Sequence, residues 1–446
     1  MSLAFICIAT KFKGKPVCRI LEGDVRRREI IIIGAGLAGV SAAWTLRRHG
    51  HSVTVLDALS GPALETSFAN AGALTPSEPE PWNAPGVAGQ LLASLFDPGA
   101  AMKLRLAPLP GLIGWGLRFL RNSTHARHGA ASAANFALSR YSLAETQAVR
   151  DELGLEFDNL RRGTLKLCRS QDGIEASILA AEKLVPLGLR YEVLDRAATL
   201  ELEPQLAGIT DQIAGSIHYP DDESGDAHRF TAGLAAAAEK AGVKFEWETR
   251  VTELMDRGGH IVGVRTETEE IEADTIILAA GHTAWSLMKP LGLHLPVRPV
   301  KGYSLTLDMS GLNARPGTPV FDEALHAIVT PMGNRLRIAG TAEIAGNDRQ
   351  LRPERVENLK SLVRALYPEF ADTLLAGEIN AWTGFRPMSA DGRPFIGETR
   401  AKGLWLTTGH GHLGWTQAMG SAGLLAALMD SETPPVDPAP FAASRI

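Results

Sequence analysis

The stretch Ile30–Asp57, I-I-I-I-G-A-G-L-A-G-V-S-A-A-W-T-L-R-R-H-G-H-S-V-T-V-L-D, decides the fold. Four consecutive isoleucines read as a strand buried on both faces. Gly34, Gly36 and Gly39 follow at once in the spacing G-x-G-x-x-G. Gly34 permits the tight turn, Gly36 leaves room for a pyrophosphate, and Gly39 lets the next helix pack close to the strand. The helix predicted from Leu37 to about His49 aims its unpaired N–H groups at that pyrophosphate. Gly50 suits its C′ position. Ser52 to Leu56 reads as the second strand, and Asp57 stands where a carboxylate accepts a ribose 2′-OH. Strand, loop, helix, strand and acid in this order define a dinucleotide-binding unit. Asp57 repels a 2′-phosphate, and Ala58 and Leu59 supply no arginine for one, so NADP is disfavoured. The unit alone leaves NAD and FAD open.

Working outward, the 446 residues suggest about two or three domains, with 45% hydrophobic and 21% charged residues of ordinary globular balance. A net charge of −5 gives no global basic field for nucleic acid. The three cysteines, Cys7, Cys18 and Cys168, have no metal-ligand or disulfide-framework spacing, so no metal and a reducing, cytoplasmic setting are expected. No apolar run reaches the length of a membrane span. Residues 1–28 precede the first strand and are expected to form an extension without a partner.

Dinucleotide-type signals return along the chain. An alanine-rich helix is predicted over Thr231–Ala241, and strands over Val243–Trp247, Thr275–Leu278 and Leu404–Thr408. Arg250–Met255 and Ile261–Thr266 read as a hairpin across Asp256-Arg257-Gly258-Gly259. Antiparallel candidates lie between: Val300–Leu307, then Ala327–Thr330 and Arg335–Ala339 joined by a turn at Met332-Gly333-Asn334. The Pro-rich segment Thr75–Pro110 reads as loops with short helices. The predicted fold is therefore α/β (α+β overall), a Rossmann-type domain interleaved with an antiparallel-sheet domain. The expected division is 29–80, 222–290 and 390–446 for the first, and 81–221 and 291–389 for the second.

Two further loops carry chemistry. Thr408-Gly409-His410-Gly411-His412-Leu413-Gly414-Trp415-Thr416 closes a strand and opens an apolar helix, whose start offers positive partial charge. Glu65-Thr66-Ser67-Phe68-Ala69-Asn70-Ala71-Gly72 supplies hydroxyls and an amide just past the ribose-binding acid.

Together with P-D-D-E-S-G-D, P-V-K-G-Y-S-L-T and W-T-G-F-R-P-M-S-A-D-G-R-P-F-I-G, these motifs resemble the FAD-dependent amine oxidoreductase superfamily. That superfamily includes glycine oxidase and D-amino-acid oxidase; the resemblance, from about Ile30 to Ile446, is to its bacterial D-amino-acid dehydrogenases. It implies non-covalent FAD, oxidative deamination of D-amino acids, and electrons passed to a quinone or other respiratory acceptor. By position, Ile30, Ile31, Ile32, Ile33, Gly34, Ala35, Gly36, Leu37, Ala38, Gly39, Val40, Ser41, Ala42, Ala43 and Trp44, with Asp57, resemble the ADP-binding half of the FAD site. Thr66, Ser67, Asn70 and Gly72 resemble the segment beside the flavin ring. Val251 resembles the residue whose backbone holds adenine, and Gly281 the turn near the pyrophosphate. Gly411, Leu413, Gly414, Trp415 and Thr416 resemble the loop over the pyrimidine edge. Arg386 resembles the substrate-carboxylate clamp, a role that suits a bidentate guanidinium. Where relatives carry a tyrosine and a second arginine, this chain has His326 and His412; Tyr303 and His412 are the substitutes considered. No cysteine follows Cys168, so the thioether attachment of covalent-flavin relatives is excluded.

Alternatives stay open at this point: a flavin oxidase or dehydrogenase of glycine, D-proline or hydroxyproline type, a non-catalytic FAD-binding subunit, and an NAD-dependent dehydrogenase. Leu91–Arg121 mixes apolar residues with Lys103, Arg105, Arg118 and Arg121, which reads either as packing helices or as a peripheral inner-membrane contact.

Overall fold

A computed structural model of the chain describes residues 9–12, 15–18, 27–94, 100, 102–322, 325 and 327–445. Most of the 1–28 extension, Leu95, Phe96 and His326 lie outside the described residues. Within the extension, Ala9–Phe12 and Lys15–Cys18 pair as an antiparallel hairpin.

The opening unit forms as its pattern dictates: β1 (Glu29–Ile33), α1 (Leu37–Arg48) and β2 (Ser52–Leu56). With β6 (Lys244–Glu246), β7 (Thr275–Leu278), β13 (Phe395–Glu398) and β14 (Leu404–Thr408) they build a six-stranded sheet in the order β6-β2-β1-β7-β14-β13. Every neighbouring pair is parallel except β13–β14. The four isoleucines show why β1 reads as apolar throughout. Ile30 and Ile32 face α1, α4 (Ala227–Lys240) and α6 (Gly414–Met429), while Ile31 and Ile33 face an antiparallel meander carrying Leu254, Ile261 and Val264. Each such fully buried side chain stabilises the fold by roughly 1.5–3 kcal/mol.

A nine-stranded sheet stands beside it. Its strands are β3 (Thr164–Cys168), β4 (Glu192–Leu194), β5 (Gly215–Tyr219), β8 (Val297–Asp308), β9 (Val320–Asp322), β10 (Ala327–Met332), β11 (Arg335–Ile344) and β12 (Ile379–Ser389), in the order β12-β8-β11-β10-β9-β3-β5-β4. Met102–Leu104 adds a ninth strand alongside β11. This strand lies in the Pro-rich stretch expected to be loops and helices. It is too short to carry a periodic signal and is set by its partner. On the outer face, α5 (Pro353–Leu366) packs Leu359, Leu362 and Val363 onto Leu305, Leu336 and Ile338. The inner face looks toward the glycine loop.

One long element departs from the expected division. α3 (His125–Leu153) falls in 81–221, yet packs on α6 in the dinucleotide core. The close approach has a local cause: a Cβ at Gly420 would lie 2.6 Å from Ser142 Cβ, and Gly420 N–H donates to Ser142 Oγ at 2.9 Å. α6 is apolar all round because it is covered on both sides.

The C-terminal ends of α1 and α6 are tied by Asp430, which accepts from His49 Nδ1 at 2.8 Å and His51 Nε2 at 2.9 Å. The hydrogen bond to Asp430 raises the His49 pKa above its ordinary 6.5. Burial works against charge on Asp430, but the two histidines outweigh it and hold the carboxyl well below its usual range. The His49 contribution to stability is complete below pH 6.5 and is lost as pH rises through the raised native value. The Asp430 contribution is complete above 3.8 and is lost as pH falls through the depressed one. The melting temperature of the native protein should therefore exceed that of a His49→Gln variant by most below pH 6.5, with the gap closing as pH rises above that value. A gap that stays constant in thermal melts across this range would show that the pair does not act in folding.

Candidate active site

The two sheets enclose one continuous cavity of about 1140 Å³, running from the glycine loop to the inner face of the nine-stranded sheet. Ile33, Gly34, Gly36, Leu37, Ala38 and Asp57 line one end. Gly34 has φ +106°, and a Cβ there would lie 2.8 Å from Ala279 O. A Cβ on Gly39 would lie within van der Waals contact of Gly34 O, so only glycine lets α1 start this close to β1. Leu37 N–H donates to Ser67 Oγ at 3.2 Å, which joins the polar loop to the helix N-terminus. Asp57 accepts from Ala35 N–H at 2.6 Å and Leu59 N–H at 2.9 Å, so the acid also shapes the loop it closes.

Thr66, Ser67 and Asn70 line the middle of the cavity with Val251 and Gly281. Thr66 Oγ1 donates to Phe385 O at 2.7 Å, which pins the polar loop to β12. Gly411, His412, Gly414 and Trp415 cover the opposite wall. Three buried polar atoms on cavity-lining residues have no hydrogen-bond partner: Trp415 Nε1, Thr407 Oγ1 and Thr341 Oγ1. A glycine cradle at a helix N-terminus, a ribose-side acid and orphaned donors along a long cavity fit a dinucleotide with an extended ring system.

Several residues singled out in the sequence do not reach the cavity. Ile30, Ile31, Ile32, Val40, Ala42, Ala43 and Trp44 are core residues of β1 and α1, and Ser41 is buried with them. Ala35 and Gly39 act through backbone geometry. Gly72, at φ +71°, packs against Met332. Leu413 is core, and Thr416 Oγ1 accepts from Thr75 N–H at 3.1 Å.

Arg386 lies on β12 opposite Val300. Its guanidinium occupies space kept by Gly302, where a Cβ would overlap it. It lies over the Trp82 ring at 5.1 Å and donates to Thr341 O at 3.5 Å. It makes no ion pair with any described residue. Burial draws its pKa down to about 10, so it remains a cation at neutral pH. Thr341 is a bulge: Gly302 pairs with Ala342 and Tyr303 with Gly340, leaving Thr341 unpaired at φ +57°. A β-branched residue there stores strain of about 1–3 kcal/mol, and the bulge turns its carbonyl toward Arg386.

Tyr303 borders the cavity, but its ring packs mainly into the second core. Strand alternation sends Gly302 and Ser304 to the cavity face, and the Tyr303 ring into the cluster under α5. Its hydroxyl donates to Glu343 at 2.8 Å, and burial and that carboxylate hold it protonated. It is not free to donate to a ligand. His412 does face the cavity, stacked on Trp82 at 5.3 Å and 16°. Burial and the Arg386 charge draw its pKa to about 4, so it is neutral. His410 and His282 are likewise held near 4, chiefly by burial.

Among the cavity residues not anticipated are Trp82, His282, Thr341 and Arg349. Arg349 pairs with Glu65 at 3.0 Å across the cavity mouth and lies 5.4 Å from the Phe385 ring. No local pattern marks them, because each is placed by a distant partner.

This fold and site define a flavin-dependent oxidoreductase, and the comparisons with known proteins agree. The model of the FAD dependent oxidoreductase family (DAO) matches residues 29–428, and the chain belongs to that family. It is 39% identical over 420 residues to the D-amino acid dehydrogenase of Rhizobium johnstonii, covering 94% of this chain and 99% of the relative. It is 40% identical to the D-amino acid dehydrogenase of Cereibacter sphaeroides, covering 93% and 95%. Among solved structures, glycine oxidase from Geobacillus kaustophilus superposes with a TM-score of 0.74 at 24% identity, covering 94% and 99%. L-proline dehydrogenase from P. horikoshii superposes at 0.72 and 17%, covering 91% and 94%. The cofactor is FAD, which closes the NAD alternative.

A Cβ at Gly36 would sit 3.4 Å from Ser67 Oγ, a contact the fold accommodates, but side chain there enters the pyrophosphate path. Gly36→Val should therefore give a protein with native circular dichroism and no flavin absorbance. Retention of stoichiometric FAD by this variant would displace the pyrophosphate from the glycine loop.

Proposed function

We propose that this chain oxidises D-amino acids to 2-oxo acids and ammonia, as a dehydrogenase that passes electrons to a quinone or another respiratory acceptor. One observation carries the reading: Arg386, a cation without an ionic partner among the described residues, projects into the cavity that the glycine fingerprint opens. FAD, when bound, supplies the acceptor for the α-hydrogen and its electron pair.

The chain's own residues bind and orient. Arg386 holds the α-carboxylate, with two N–H groups available to a planar anion. Trp82 and Gly302 fix the guanidinium from two sides, and the Thr341 carbonyl sets its rotation. Neutral His412 fills the wall beside Arg386 without adding a second charge that would trap a carboxylate. The start of α6 at Gly414 presents positive partial charge to the same cavity, where negative charge accumulates during reduction. Cys168, at the end of β3, is buried beside Ser177 and is not among the residues lining the cavity, which supports non-covalent cofactor binding.

The acceptor reading draws support from α2 (Leu109–Arg121). Leu112, Trp115 and Phe119 are buried, while Ile113, Leu117 and Leu120 are exposed beside Arg118 and Arg121. Among the described residues, no helix is long and apolar enough to cross a membrane. This exposed stripe is suited to a peripheral contact with an anionic lipid surface. Replacing both Ile113 and Leu117 by Glu should release the enzyme from anionic vesicles in flotation assays. Flotation that the double variant does not reduce would assign the stripe to another role.

Removing the charge-assisted contact of Arg386 should cost about 1.5–3 kcal/mol of transition-state binding. Arg386→Ala should lower kcat/KM for D-alanine by about 10–150-fold, mostly through KM. D-alaninamide, which lacks the carboxylate, should be turned over equally by both proteins. Equal losses on both substrates would remove Arg386 from the carboxylate site, and stoichiometric hydrogen peroxide would mark an oxidase.

A further inference from the structure

The Pro-rich run Pro76-Ser77-Glu78-Pro79-Glu80-Pro81-Trp82-Asn83 has a regularity that the chemistry so far uses only at Trp82. Pro79 and Pro81 hold the preceding Glu78 and Glu80 in extended backbone. Burial alternates along it: Ser77, Pro79, Pro81 and Asn83 are buried, while Glu78, Glu80 and Trp82 are half-buried and line the cavity. A period of two puts these three side chains on one face, spaced at roughly 6–7 Å.

The rear of the run is anchored at every step. Ser77 Oγ donates to Asp222 at 2.6 Å, Asn135 Nδ2 to Pro79 O at 3.0 Å, and Asn83 Nδ2 to Ala390 O at 3.4 Å. His128 Nε2 meets Pro81 O at 3.0 Å. The wall is therefore fixed before any ligand arrives.

Charge is distributed unevenly along it. At one end, Trp82 carries the Arg386 guanidinium and His412. At the other, Glu78 is neutralised by Lys166 at 3.0 Å. Between them, Glu80 makes no ion pair or hydrogen bond with any described residue. A carboxylate lining the cavity, one strand step from the tryptophan that carries an unpaired cation, complements a ligand bearing both charges. An α-carboxylate takes Arg386, and a second positive group then faces Glu80.

We propose that Glu80 is a specificity-determining residue that binds the side-chain cation of the substrate, so that the enzyme selects basic D-amino acids of the D-lysine and D-arginine type. This rests on the D-amino-acid reading given above. D-lysine and D-norleucine have side chains of the same length and differ in the terminal ammonium, so their kcat/KM ratio isolates the contact.

The holoenzyme should prefer D-lysine over D-norleucine by about tenfold or more, and Glu80→Gln should lower that ratio by about tenfold. Glu80→Lys should turn the preference toward D-glutamate, with flavin absorbance reporting that each variant is folded. A native preference below about fivefold, or a ratio that Glu80→Gln lowers by less than about fivefold, overturns the proposal. D-norleucine turnover in that case still upholds D-amino-acid oxidation. Failure of every D-amino acid tested to bleach the flavin overturns the reading beneath it instead.

Discussion

No side chain fits between the first turn of α1 and the end of β1. The would-be Cβ of Gly39 meets the carbonyl of Gly34, and that of Gly34 meets the carbonyl of Ala279. This closeness decides where the helix N-terminus points and leaves Asp57 able to accept from Ala35 N–H. β7 joins β1 in register from Thr275–Ile30 to Leu278–Ile33, so the same contact fixes the third strand. The six-stranded sheet grows outward from there, and the cavity begins where its strands end.

The second sheet is positioned by threads that cross the cavity rather than by packing alone. Thr66 Oγ1 bonds to Phe385 O, Ser304 Oγ to Ala69 O, and Thr330 Oγ1 to Ala71 O. All three run between the polar loop after Asp57 and a strand more than two hundred residues away. Segment 65–72 thus ties the second sheet to the first domain and also forms a wall of the cavity. Side-chain oxygens meeting backbone carbonyls make these joints directional, which suits a site that must hold a flat ring against an α-carbon.

The degree to which the sequence revealed this differs by the range of the interaction. β1 to β2 was legible because periodicity, glycines and the closing acid are all local. The strands of the large sheet that alternate cleanly, β8 and β11, were legible as strands. The placement of Arg386 on a strand was legible because a strand-like run and a turn flank it. The orientation of Tyr303 was not legible, because its face depends on register with β11, and that register shifts at the Thr341 bulge. Trp82 and Glu80 were illegible for another reason. Their alternation is written in burial, while the residues alternating are proline and glutamate, which carry no hydrophobic period. α3 read as a helix, but its home depended on Ser142 meeting Gly420, a match between sites 278 positions apart.

The treatment of charge separates structural from chemical groups in this molecule. Several buried ions elsewhere are compensated: Glu343 has Arg105 at 2.6 Å and the Tyr303 hydroxyl, Asp322 has Arg169 at 2.6 Å, and Asp430 has two histidines. Desolvating an unpaired ion costs several kcal/mol, so leaving the buried Arg386 guanidinium without an ionic partner carries a real penalty. The penalty is relieved when a ligand supplies the counter-charge, and relief at binding is differential affinity. Tight pairing of Arg386 with a protein carboxylate would stabilise the apoprotein and would also compete with every substrate carboxylate. The isolation of the guanidinium, kept by Gly302 beneath it and Trp82 beside it, is what would let one cation act as an address for an α-amino acid under the proposed function.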